Sequence, residues 1–281
     1  MKKISRSDFL KISGLSFGGI LMLPHHSCSG IPNKKLTING TNNYQIIIPA
    51  NPSKIEEEAS IQLKKHLLLL SKQAPNVVKE NEYNGKNGIF IGQTTHAKKN
   101  NVAADALEED GYVFKNIGDD FLIQGGSEKG LIFGIYSLLE SFGFRKYAAD
   151  DPLDIPSTIN FELPNDITKI PKINYRTTNY YEGRDSEYAD WNKLSSRDSW
   201  GLFVHTFEVL VPPEKYGKSN PEYYSLIDGE RNVVTQLCLS NEEMFDVLVT
   251  DLRKRINENP KAKYWSVSQN DNDKYCQCGP C

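Results

Sequence analysis

Apolar residues recur along the chain in two periods, and the elements they predict fall into two groups. Tyr44–Pro49 (Tyr-Gln-Ile-Ile-Ile-Pro) is a short β run. Asn51 followed by Pro52 then offers one helix start, and Ser53 with Glu56 offers a capping box as an alternative. Ile55, Ala59, Leu63, Leu67 and Leu70 recur at helical spacing, which turns Glu56–Glu58 and Lys64–Lys65 mostly outward and makes His66 a surface or boundary residue. Gly88–Gly92 predicts a short buried strand, and Gly111–Phe114 with Phe121–Gln124 predicts a hairpin turned around Asn116 and Gly118. Glu128–Phe142 predicts a second amphipathic helix, in which Gly130 and Gly134 permit close approach to the sheet and which Gly143 ends. Gly125-Gly126 lacks the Lys-Ser/Thr of a phosphate loop. The order predicts an α+β domain over residues 44–165, a mixed sheet with two packed helices.

Asp150–Pro171 holds four prolines and little periodicity, which marks a domain boundary. Beyond it, Ile173–Tyr180 predicts a strand, Glu187–Leu194 a short helix, Trp200–Phe207 a strand and Pro212–Tyr224 a long aromatic loop. Val234–Leu239 predicts a buried strand. Ser240 and Glu243 then cap a helix running to about Asn257, with Phe245, Leu248, Leu252 and Ile256 as its buried face. Tyr264–Ser268 predicts the next strand, parallel to the one before and joined to it by a right-handed crossover. Strand–helix alternation over residues 172–281 predicts the first βα units of an incomplete (β/α)₈ barrel. A whole barrel takes about 250 residues, so the chain is expected to be a truncated form of something longer. In such folds the chemistry collects at the carboxyl ends of the strands.

Composition alters this picture little. The chain is 38% apolar and 25% charged, as globular proteins are, and its net charge of -3 with no basic stripe excludes nucleic acid as a partner. The first residues are different in kind. Lys2, Lys3 and Arg6 precede the apolar run Ile12–Leu23, which is short for a membrane span and predicts an export signal over residues 1–28. Ser5–Lys11 is similar to the twin-arginine pattern, with Ser7 in place of the second Arg. Cys28 follows Ser27 and is a candidate for lipidation, although His25 and His26 stand where a lipobox carries small or apolar residues. Residues 29–43 read as a linker. The protein is thus expected to be exported, either periplasmic or held at the membrane as a lipoprotein.

Several local patterns, taken in order, carry a family resemblance. They are Gly130–Tyr136 with Leu138-Leu139-Glu140, His205-Thr206, Asn220–Tyr224, Gly229-Glu230-Arg231, Gln236–Asn241, Ser266–Asp271 and the closing Cys-x-Cys-x-x-Cys. From about residue 44 onward the chain resembles the bacterial domain-of-unknown-function family 4838, whose members are similar to family-67 α-glucuronidases and family-20 hexosaminidases. Lys129 stands where that family usually has Arg, and Asn220 where it usually has His. The resemblance implies an α+β domain preceding a catalytic-type barrel. It also implies carbohydrate chemistry in the envelope, with an oligo- or polysaccharide as partner, but no demonstrated reaction.

Glycoside hydrolysis takes two carboxyl groups flanking the scissile bond. In the related hydrolases the acid lies on a middle barrel strand that these elements do not reach, so no catalytic residue is assigned and the chain alone is expected to be inactive. Substrate contacts are expected from Arg176, His205, Gln269, Asn270 and Asp271. Arg176 could fork onto a sugar carboxylate or hydroxyl pair, or pair with an internal acid. His205 could serve substrate or be hydrogen-bonded inside the protein, and Asp271 could contact substrate or cap the next loop. Glu182 and Glu208, just after their strands, are further candidates. No cofactor is expected. Zinc on Cys276, Cys278 and Cys281 is the alternative, with a fourth ligand lacking, and a disulfide between two of them is another. Cys238 reads as a small buried hydrophobe. Two rival functions follow: a non-catalytic glycan-binding surface protein using the tyrosines around Pro212–Tyr224, and a metal-binding module built on the C-terminal cysteines.

Overall fold

The computed structural model describes residues 37–38, 44–71, 74–85, 87–157 and 160–281; the stretch expected to be an export signal, Cys28 and most of residues 29–43 lie outside them. The first elements are β1 (Thr37–Ile38), β2 (Gln45–Ile48), α1 (Lys54–Leu70), β3 (Asn76–Lys79), β4 (Gly88–Ile91) and α2 (Thr95–Lys99). They are followed by β5 (Tyr112–Ile117), β6 (Asp120–Gly125), α3 (Glu128–Ser141), β7 (Phe161–Glu162) and β8 (Ile167–Lys169). Six of the strands form one sheet in the order β3-β2-β4-β6-β5-β8. The first four run parallel, while β5 pairs antiparallel with both β6 and β8.

The central parallel strands β2, β4 and β6 carry unbroken apolar runs because both faces of the sheet are covered. Ile46, Ile89, Ile91, Phe121 and Ile123 meet Leu63 and Leu67 of α1 and Leu131, Ile135 and Leu139 of α3. Ile47, Phe90 and Leu122 point to the other face, against Ala97 of α2. Each such side chain contributes about 1.5–3 kcal/mol when fully buried. Of the two helix starts offered, the Ser53/Glu56 capping box opens α1, and Asn51 does not. Glu56, however, is buried rather than turned outward, because its carboxylate also accepts from the Gln93 backbone N–H at 2.8 Å.

Two boundaries differ from the expected ones. Thr37–Ile38, inside the stretch read as linker, pairs with β7, and Ile38 belongs to the core. Ile167–Lys169, beyond residue 165, is the sixth strand of the sheet. His66 is also corrected, being 1% exposed in the core and ringed by Tyr136, Phe144 and Trp191. Trp191 comes from the second half of the chain, so no pattern local to α1 could reveal that this helix face is covered.

The second half holds α4 (Ser186–Trp191), β9 (Trp200–Leu202), α5 (Phe207–Leu210), α6 (Pro213–Tyr216), β10 (Tyr224–Ile227), β11 (Glu230–Leu237), α7 (Glu242–Glu258) and β12 (Tyr264–Trp265). Ile173–Tyr180 is not a strand. The expected βαβ pairing is also different. β11 turns back on β10 as an antiparallel hairpin, and β12 pairs in parallel with β9. The hairpin turns at Asp228 and Gly229, both at positive φ, the pair that a two-residue turn of that hand favours. Asn241, not Ser240, caps α7 by accepting from the Met244 N–H at 2.8 Å. The helix buries Met244 and Leu248, whereas Phe245 is 57% and Ile256 40% exposed. Leu202, Phe207, Leu210, Tyr224 and Leu237 complete this second core.

Candidate functional site

The parallel pair β9–β12 brings two chain segments together at its carboxyl end. Beyond the strands the contact continues through polar groups. Ser266 N donates to Leu202 O at 3.0 Å, Thr206 N to Ser268 O at 3.0 Å, and Ser268 N to Thr206 Oγ1 at 2.9 Å. His205 sits at the mouth of this junction in the left-handed region, φ 56°, a conformation that His tolerates better than most residues. Its N–H donates to Ser268 Oγ at 3.0 Å, and its Nδ1 lies 3.2 Å from Gln269 O. The imidazole is therefore exposed and held beside Gln269.

Gln236, on β11, fixes the loop that follows. It is 3% exposed, its Nε2 donates to Asn270 O and Asn272 O at 2.8 Å each, and its Oε1 accepts from Asn270 N at 2.9 Å. Asn270 in turn donates through Nδ2 to Thr235 O at 2.5 Å. Gln269 Nε2 donates to Tyr275 Oη at 3.1 Å. A cleft of about 340 Å³ lies here, lined by Phe207, Gln236, Ser240, Gln269 and Tyr275 among others. Tyr275 is 55% exposed. Asp271 is exposed as well, and neither Glu182 nor Glu208 lines the cleft.

Two expected positions lie elsewhere. Arg176 donates through Nη2 to Asp110 Oδ2 at 2.7 Å, through Nε to Lys193 O at 2.9 Å and through Nη1 to Ile173 O at 2.5 Å. Its guanidinium is committed to the joint between the two halves, the internal pairing that the sequence had left open. Tyr223 and Tyr224 are 6% and 2% exposed, and Tyr224 Oη donates to Val211 O. These two tyrosines are core residues and offer no face for a sugar to stack on.

The cysteines form the densest cluster. Cys238, read from the sequence as a small buried hydrophobe, joins the three expected thiols of Cys276, Cys278 and Cys281, and all four Sγ atoms lie within 4.8 Å of one another. Cys238 Sγ is 3.7 Å from Cys278 Sγ and 3.8 Å from Cys281 Sγ. Cys238 follows β11, while the other three arrive on the segment after β12. That segment docks on the hairpin, with Gln277 N donating to Leu226 O and Leu226 N to Cys276 Sγ at 3.3 Å. Ser240, freed from capping α7, sets its hydroxyl 3.1 Å from Cys281 Sγ and 3.4 Å from Cys278 Sγ.

The surroundings shift the thiols in opposite directions. The Ser240 hydroxyl and the Cys281 backbone pull Cys278 down to about 6, and burial pushes Cys276 up to about 11. At Cys238 burial acts upward, but hydrogen bonds from Ser240 and Arg231 outweigh it and leave the thiol lowered. A simple count could have found the fourth sulfur. The chain has five cysteines, and setting aside Cys28 near the N-terminus leaves a set of four.

Residues 147–281 match the model of the family described as Domain of unknown function (DUF4838). The family resemblance drawn from the motifs is borne out over that span, and the Gly130–Glu140 pattern precedes it. None of the curated proteins matches the chain. Among solved structures the chain is similar to the GH20 β-N-acetylhexosaminidase of Streptomyces coelicolor A3(2), at 14% identity and a TM-score of 0.32, covering 52% of this chain and 25% of that one. It is also similar to a β-N-acetylhexosaminidase from Bacteroides fragilis NCTC 9343, at 12% identity and a TM-score of 0.33, over 52% and 24% of the two chains. A family GH115 4-O-methyl-α-glucuronidase with specificity for decorated arabinogalactans is similar at 12% identity and a TM-score of 0.39, over 83% and 26%. The chain thus spans about a quarter of the length of these proteins.

Proposed function

We propose, from the family match over residues 147–281, that the protein is an exported carbohydrate-active protein of glycoside-hydrolase type. In this proposal residues 172–281 are the first βα units of a (β/α)₈ barrel, and the cleft beside His205 and Gln269 binds an oligo- or polysaccharide. One observation carries the proposal. The parallel β9–β12 pair presents His205, Gln269 and Tyr275 at its carboxyl end, where α/β barrels bind their ligands. Amide side chains both donate and accept, which suits sugar hydroxyls, and the exposed Tyr275 ring offers an apolar face of the kind a pyranose stacks on. The positive run Lys2, Lys3 and Arg6 ahead of Ile12–Leu23 supports export, and Cys28 is the residue for a lipid anchor.

Binding without turnover is the expected behaviour of this chain. Hydrolysis takes a pair of carboxyl groups on opposite sides of the glycosidic bond, and the residues lining the cleft include no carboxylate. Titration of the chain against a glycan panel should give binding that is lost in Gln269→Ala and Tyr275→Ala. Release of the aryl group from an aryl N-acetylglucosaminide or an aryl glucuronide would refute the absence of turnover. Equal affinity in the two variants would move the site elsewhere.

A further inference from the structure

We infer that Cys238, Cys276, Cys278 and Cys281 form a structural tetrathiolate site for one thiophilic divalent cation, Zn²⁺, which locks the segment carrying Gln269 and Tyr275 onto the β10–β11 hairpin. The inference goes beyond the carbohydrate proposal and is independent of it.

Geometry is the first support. Zn–S bonds of about 2.3 Å in a tetrahedron hold sulfurs about 3.8 Å apart. The Cys238 sulfur lies 3.7 and 3.8 Å from those of Cys278 and Cys281, and the whole set stays within 4.8 Å. Disulfides would instead divide the set into pairs at about 2.0 Å. Cys238 shows no such preference, standing almost equally far from two different partners.

The ligand chemistry is the second support. Four sulfurs and no carboxylate make a soft set, which selects zinc or iron over magnesium or calcium. Four protein ligands also complete a tetrahedral shell, the mark of a structural rather than a catalytic zinc. The outer groups suit the negative charge of a metal tetrathiolate: Leu226 N–H and the Ser240 hydroxyl lie at the sulfurs, and Arg231 Nη1 is 3.9 Å from Cys276 Sγ.

The third support is what the site would hold. Residues 266–281, which follow β12, form no helix or strand and are mostly exposed. Without the metal this segment is held through hydrogen bonds from Gln236 and between Gln277 and the hairpin. A cation bound by Cys238 and the three terminal cysteines ties both ends of that arrangement to one point.

The test uses the full chain purified under reducing conditions. Elemental analysis should give about one equivalent of zinc, and Co²⁺ titration of the metal-stripped protein should give the absorption of a tetrahedral four-thiolate centre. Cys238→Ser should shift that spectrum to three-sulfur character and weaken zinc retention at least tenfold in competition with a chromogenic chelator. Hydrogen exchange over residues 269–281 should rise when the metal is removed. Free thiols at Cys238, Cys276, Cys278 and Cys281 with no bound metal and no Co²⁺ spectrum would overturn the inference, as would two disulfides among these four found by mass spectrometry of protein purified without reductant. An iron spectrum with no zinc would overturn the choice of metal. The Co²⁺ titration reads the unmutated protein, so misfolding of a cysteine variant does not blunt the test. No glycan enters it, so its failure is distinct from failure of the carbohydrate proposal.

Discussion

Arg176 and Asp110 form an ion pair, Nη2 to Oδ2 at 2.7 Å, that joins the segment after the proline-rich stretch to the loop before β5. Asp110 is 8% exposed and Lys129 approaches its other oxygen at 3.6 Å. Removing the arginine leaves a buried carboxylate and the carbonyls of Ile173 and Lys193 without their donors. Arg176→Ala should therefore lose about 2–3 kcal/mol of stability, on the scale of hydrogen bonds to charged groups. Glycan affinity should not change. Urea denaturation and a binding titration on the same variant check both halves, and lost affinity with intact stability would return Arg176 to the substrate.

His66 makes stability depend on pH in a direction that its burial fixes. Burial lowers its pKa, and the bond from Nδ1 to Gln62 O opposes this in part. The unfolded imidazole titrates near ~6.5. Above that value both states are neutral and the histidine adds nothing to the pH dependence. As the pH falls below it, the unfolded chain takes up a proton that the folded one refuses, so stability is lost. Thermal melts from pH 7.5 to 5 should show a drop that is smaller in His66→Phe, and an identical pH slope in the two proteins would contradict this.

Gln236 should matter to the loop more than to the core. Gln236→Leu keeps most of the volume but leaves the Asn270 N–H and the Asn272 carbonyl without their Gln236 partner, and the Asn270 carbonyl with the Asn272 N–H alone, a loss of about 1–3 kcal/mol. Exchange of backbone amides over residues 269–273 should quicken, while protection of β2, β4 and β6 stays at the wild-type level.

Gly130 shows steric packing overriding helix propensity. Alanine in α3 would gain about 0.5–1 kcal/mol of intrinsic preference. A Cβ there would nevertheless stand 2.3 Å from Gly111 O, a backbone atom that cannot rotate away. Overpacking of this kind typically costs about 1–3 kcal/mol. Gly130→Ala should therefore lower the melting temperature, and a rise would mean that α3 can lift off the hairpin without penalty.

The sequence by itself determined the elements whose causes are local. The Ser53/Glu56 box, the helical spacing of Leu63 and Leu67, the hairpin around Gly118 and the stop at Gly143 are short-range effects, readable within a few residues. Tertiary structure decided the rest. β12 takes β9 rather than β11 as its partner, while β11 pairs with β10 through the Asp228-Gly229 turn. His66 is buried because Trp191, far along the chain, covers it. In the sequence Cys238 is one more small apolar residue, and it becomes a fourth sulfur only when the segment after β12 folds back over the hairpin. Side-chain period reports which face of an element is apolar, but which distant group comes to lie on that face depends on chain topology.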